Sequence, residues 1–206
     1  GWNSAAFNLD CIGNPYPSAI DADLLMTYGP NTVAGGGPLP NGGTTLYFWT
    51  HNTPIGTPTA YNYTNDDYAL YNLSGGAGTR AAIGAPCIGC NNNIPNGNIA
   101  AGQGFMIVPS PNATVANPPT APSRTLHFTN AMRLVGLNNQ FFRMSGEQST
   151  PQSLERNRVW LEISNATGAY KQMMVGYIEN ATNDIDSGFD GEMVDAGNPV
   201  SLYTLV

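Results

Sequence analysis

Charge is what this sequence most lacks. Only 10% of its 206 residues are Asp, Glu, Lys or Arg, against about 25% in an average globular chain. Seven cations face fourteen acids, for a net charge of −7. Phosphate binding needs clustered Lys and Arg, and no basic stripe stands in the sequence, so a nucleic-acid partner is excluded. An anionic membrane surface would repel the chain as well. The second shortage is histidine, with two residues, which leaves little room for a nucleophile triad; neither Gly-x-Ser-x-Gly nor His-Glu-x-x-His occurs. Long apolar runs are missing too: no stretch of about 18 apolar residues offers a membrane-spanning helix, and no membrane insertion is expected.

What is present in excess is Gly (24) and Pro (16), together about a fifth of the chain, a load few long helices survive. A chain of this length is expected to bury one core as a single domain over residues 1–206. Strand signals recur between turn residues. Arg158–Ser164 alternates, with Val159, Leu161 and Ile163 on one face and Trp160 and Glu162 on the other. Residues 124–129 place Leu126 and Phe128 inward, and further strands are expected at 5–12, 44–50, 68–73, 103–108, 171–179 and 200–205. This spacing reads as an all-β fold, an antiparallel β-sandwich of jelly-roll type with long Gly/Pro/Asn-rich loops at 28–43 and 109–123. A short helical turn at 18–27 is expected, with Ser18 as its cap and Leu24, Leu25 and Met26 available for packing.

Four groups of residues are candidates for chemistry. Asp184, Asp186 and Asp190 lie among glycines in a run where a hard cation such as Ca²⁺ would find carboxylate and carbonyl oxygens. The spacing is not that of an EF-hand, and a solvated acidic turn is the plainer alternative. Cys87 and Cys90 flank Ile-Gly and suit a local disulfide in an oxidising compartment, with free thiols, half a zinc site or a redox pair as alternatives. Trp49, Tyr61 and Tyr63 offer flat faces for stacking on sugars, although half of any aromatic strand must point into a core. Asp66-Asp67 is the obvious adjacent acid pair for a glycosidase, but consecutive strand residues face opposite ways and turn residues are the simpler reading.

The segment Cys11-Ile-Gly-Asn-Pro-Tyr-Pro-Ser-Ala-Ile-Asp21 has a specified loop shape, because two prolines two positions apart forbid helix and the preceding Gly-Asn favours a turn. It resembles the GNPYPSAID signature of a β domain found in secreted and cell-surface proteins of the Bacteroidota, upstream of the C-terminal sorting domain of type IX secretion system substrates. Further blocks follow in the same order, among them Leu46-Tyr-Phe-Trp-Thr-His-Asn52, Phe128-Thr-Asn-Ala-Met-Arg133 and Gly188-Phe-Asp-Gly191. The resemblance implies a structural turn at 188–191. It also implies a buried thiol at Cys11, where the family carries an apolar residue. It implies further that the segment 200–206 runs on into another β domain and a sorting signal, with Gly1 a processing point or fragment boundary of a longer protein. The resulting expectation is a non-catalytic extracellular module for structural presentation or adhesion. Its partners would be the type IX machinery, through a sorting domain outside this chain, and glycans or other surface proteins. A carbohydrate-binding module and a glycoside hydrolase-type domain are the rivals.

Overall fold

The computed structural model describes residues 9–54, 64–81, 85, 93–110, 125–138, 157–166, 168–191 and 200–204. The all-β expectation holds: among these residues the strands pair antiparallel and helix is almost absent. In chain order the elements are β1 (Asp10–Gly13), β2 (Ile20–Asp21), the single-turn α1 (Ala22–Thr27), β3 (Leu46–Trp49), β4 (Tyr68–Asn72) and β5 (Gly75–Ala77). They continue with β6 (Asn98–Ile99), β7 (Gly104–Ile107), β8 (Arg158–Ser164) and β9 (Tyr170–Gly176). A five-stranded sheet runs in the order β1-β7-β3-β4-β5, while β2 pairs with β6 and β8 with β9 as two-stranded ribbons.

The strand period of two sets the core. Leu46 and Phe48 of β3, Ala69 and Tyr71 of β4, and Phe105 and Ile107 of β7 turn to one face. There they meet Ile20, Ala22, Leu25, Met26, Ile99 and Met132 from β2, α1, β6 and the turn at Asn130–Met132. The Phe48 and Phe105 rings sit 6.2 Å apart, tilted by 42°. Tyr47, pointing the other way, is also buried, so β3 is covered on both faces, as befits the middle strand of the sheet. Two polar ties lock the layers. The Tyr71 hydroxyl donates to Asp23 of α1 at 2.9 Å. Asn31 donates to the carbonyls of Leu25 and His127, both at 3.0 Å, and accepts from the His127 amide at 2.6 Å.

Four local expectations need correction. Residues 125–129 form no strand, although Leu126 and Phe128 do pack on the core; the alternation recorded an extended segment with no partner ladder. Residues 200–204 form no strand either. The helix cap is Asp21, whose carboxylate accepts from the Leu24 amide at 3.0 Å, not Ser18. The chain first pairs as β2, so helix starts only at Ala22, and Leu24 stays exposed while Leu25 and Met26 are buried. Cys11 is exposed, not buried. It lies opposite Met106 on the edge strand β1, and its neighbour Ile12 takes the core-facing position.

Candidate functional site

The 14–18 loop is held from within and from behind. Asn14 donates to the carbonyls of Ser18 (2.8 Å), Ile99 (3.1 Å) and Ala100 (3.0 Å), and its side-chain oxygen accepts from the Tyr16 amide at 3.0 Å. One buried carboxamide thus closes the turn and fastens it to the end of β6. Tyr16 is pinned at its far end, its hydroxyl donating to the Phe128 carbonyl at 3.1 Å. The Arg133 guanidinium lies over the Tyr16 ring, 5.3 Å from its centre, and its Nε donates to the Ser18 hydroxyl at 3.2 Å. Backbone joins the same two segments: Ile20 and Arg133 form an antiparallel bridge, and the Leu134 amide donates to the Ala19 carbonyl at 2.8 Å. Two sequence blocks 115 residues apart therefore meet. Between them opens a cleft of about 380 Å³ whose walls include Pro17, Ser18, Asn130, Arg133, Val135 and Asn138.

A second polar cluster sits at the end of β3. Trp49 is half-buried, its ring 4.9 Å from that of His51 and tilted by 38°. His51 occupies the left-handed backbone region at φ 55°, an uncommon setting for a side-chain-bearing residue. Its Nε2 is buried with no hydrogen-bond partner among the described residues. Beside it the buried Asp67 carboxylate accepts from the Thr53 amide at 2.7 Å and the Thr53 hydroxyl at 2.9 Å. Burial pushes this carboxyl above its ordinary value, opposed by the two Thr53 bonds and by His51. Asp66 points elsewhere, to Lys171 of β9 at 3.4 Å. The adjacent acids thus serve separate partners, as expected from their spacing. Tyr61 and Tyr63 lie outside the described residues, so of the three expected stacking aromatics only Trp49 has a described place. Cys87 and Cys90 also lie outside them.

The acidic loop is put together by its own backbone. Asp186 accepts from the Thr182 amide at 2.5 Å, and Asp190 accepts from the Asp186 amide at 2.7 Å. The Asp186 carbonyl takes the amides of Phe189 and Asp190. Asp184 contributes backbone alone: its amide donates to the Thr182 hydroxyl at 3.2 Å and its carbonyl accepts from that hydroxyl at 3.3 Å. Two of the three carboxylates act as turn caps. Among the described residues no group of three or more His, Cys, Asp and Glu is arranged to hold a metal. The loop is instead a clasp on the sheet: Asn72 and Ser74 donate to the Phe189 carbonyl at 2.7 and 2.8 Å, and the Leu73 amide donates to the Gly188 carbonyl at 2.9 Å. A Cβ at Gly188 would strike the Gly42 carbonyl, so only glycine fits there.

Sequence reasoning found these segments but not what they do. The signal for Asn14 was available in Gly-Asn-Pro, a turn tripeptide with a side chain able to mimic backbone. The receivers of its long-range bonds, Ile99 and Ala100, open another block of the resemblance, Ile99-Ala-Ala-Gly-Gln-Gly-Phe105, but nothing in the spacing pairs the two segments.

A family model described as Domain of unknown function (DUF8693) matches residues 2–206. No curated protein and no solved structure matches the chain.

Proposed function

The chain belongs to the DUF8693 family, a domain of unknown function, and we propose that it is a non-catalytic extracellular module that presents or adheres. On this reading it is part of a secreted or surface-anchored bacterial protein, exported by the type IX secretion system through a sorting domain outside this chain. One observation carries the proposal. Three buried neutral amides fasten loops to the framework: Asn14 to the Ile99 carbonyl, Asn31 to that of Leu25 and Asn72 to that of Phe189. Neutral amides hold such loops without titrating, and they owe little to ionic strength, which suits a surface exposed to variable salt and pH. A jelly-roll connectivity and a Cys87–Cys90 disulfide belong to the same reading. Calcium at Asp184, Asp186 and Asp190 would draw on the carboxylate oxygens beside those that accept the Thr182 and Asp186 amides.

The test is made on cells expressing the full-length parent protein. Protease added to intact cells is expected to remove this module, and disabling type IX export is expected to protect it. Protection in intact export-competent cells, lost only on lysis, would overturn the proposal. A carbohydrate-binding role is the second reading, favoured by the open cleft beside the 14–18 loop.

A further inference from the structure

We propose that the cleft between the 14–18 loop and residues 130–138 recognises a carboxylated sugar, the uronate unit of an acidic polysaccharide. The inference deepens the extracellular reading above, on which it rests for the source of its ligand.

The argument starts from Arg133. In a chain of net charge −7, the described cations are mostly engaged: Lys171 pairs with Asp66, and Arg80 lies 4.2 Å over the Tyr170 ring. Arg133 has no carboxylate partner among the described residues, yet it is held in place, with its face on Tyr16 and its Nε on Ser18. Neither contact is a hydrogen bond from the terminal nitrogens of the guanidinium fork, and Arg133 is exposed and lines the cleft. A planar fork fixed in this way matches a carboxylate bidentately.

The surroundings select among carboxylates. Asn130 is exposed, and its side-chain amide makes no hydrogen bond among the described residues. The Ser18 hydroxyl accepts from Arg133 and keeps its own proton to donate. Amide and hydroxyl groups of this kind read sugar hydroxyls. Pro17 and Val135, the latter 98% exposed, give apolar surface for the C–H face of a pyranose. The cleft, at about 380 Å³, lies within the range of ligand pockets from about 300 Å³ upward. An extended peptide fits less well, because it would seek a free backbone edge. Here the Leu134 amide and Ala19 carbonyl bond to each other, and the Ser18 carbonyl is taken by Asn14.

A single exposed ion pair implies weak binding, with Kd on the order of 1 mM. The experiment is an amide and side-chain chemical-shift titration of the folded chain with trigalacturonate, its methyl ester, and a tripeptide with a free carboxylate. Shifts at Ser18, Asn130, Arg133 and Val135 are expected with trigalacturonate only, weakening as salt is raised. Arg133→Gln should weaken binding about tenfold, equivalent to about 1.4 kcal/mol. Because Arg133 also braces Tyr16, Asn130→Ala is the second variant; it leaves that frame intact and should weaken binding about threefold. The proposal is overturned by unchanged binding in both variants, by equal binding of the ester, by equal or tighter binding of the peptide, by shifts centred elsewhere, or by no binding of any probe. A failed titration leaves surface display standing, since that is read by protease on cells. A module confined inside the cell would leave a positive titration standing.

Discussion

In the five-stranded sheet, Leu46, Phe48, Phe105 and Ile107 are almost wholly buried, whereas on the β8–β9 hairpin Val159, Leu161 and Ile163 keep 50, 44 and 40% of their surface exposed. Both regions are antiparallel, but only Arg158–Ser164 alternates in sequence; β3 (Leu-Tyr-Phe-Trp) and β7 (Gly-Phe-Met-Ile) are apolar almost throughout. Their stability comes from different sources. The sheet closes on α1, β2, β6 and the 130–132 turn, and gains from apolar burial. The hairpin is held by its seven paired positions and by polar contacts to β5. The Trp160 indole donates to the Gly76 carbonyl at 3.0 Å, and Gln172 accepts from the Gly78 amide at 2.8 Å. The first satisfies backbone on the edge strand of the larger sheet and the second backbone just past its end, which protects that edge from pairing with another chain. Tyr170, on the same hairpin, has its hydroxyl pushed up to about 12, first by burial and then by its bond to Glu162.

The largest effect should fall on the buried side of this comparison. Phe105→Ala is expected to cost about 3–5 kcal/mol in urea unfolding, since it removes a ring and leaves a cavity. Leu161→Thr on the hairpin should cost under about 0.5 kcal/mol. Equal losses at the two positions would erase the distinction. Asn14→Ala comes next, at about 2–3 kcal/mol, because one deletion strips partners from several buried backbone groups at once. An unfolding midpoint left unmoved would show that water replaces that carboxamide. Trp160→Phe keeps an aromatic ring, smaller than the indole, and leaves the Gly76 carbonyl without its donor, at a cost of about 1 kcal/mol. Faster hydrogen exchange confined to β5, β8 and β9 is the expected accompaniment.

Legibility follows the same division. Strand-forming runs bounded by turn residues at 46–49, 68–72 and 104–107, and alternation at 158–164, place these strands. Alternation does not give depth: Leu161 stays 44% exposed in a clean alternation, whereas Phe105, in an apolar run, is buried. Nor does it separate a strand from an extended segment: Leu126 and Phe128 alternate and pack inward without a partner ladder. The candidate sites were legible as loops of defined shape. Their partners were not, since the meeting of Ser18 with Arg133, or of Asn72 with Phe189, depends on tertiary topology that spacing does not encode.

Acid titration tests the polar cluster against the apolar sheet. The Asp67 carboxyl is raised above its ordinary 3.8 chiefly by burial. Between that value and its folded-state value, the folded chain therefore holds a proton that the unfolded chain has lost. Stability contributed by this group falls as pH rises through that window. Asp67→Asn removes the titration, so the stability of the wild type relative to the variant should be greatest at low pH and shrink towards neutrality. A relative stability that grows with pH would mean that the Thr53 bonds outweigh burial.

The smallest expected change is at Cys11, where the sheet itself turns from buried to exposed. β1 is an edge strand, and Cys11 lies on its outward side while Ile12 packs inward. Its thiol should therefore react with an alkylating reagent in the native protein at a rate close to that of a free thiol, as read by mass mapping of the peptide carrying residue 11. Cys11→Ser exchanges one small exposed group for another and should move stability by less than about 0.5 kcal/mol. Ile12→Ser, one residue along, should cost several times more. Protection of Cys11 until the chain unfolds would mean that β1 is covered on both faces.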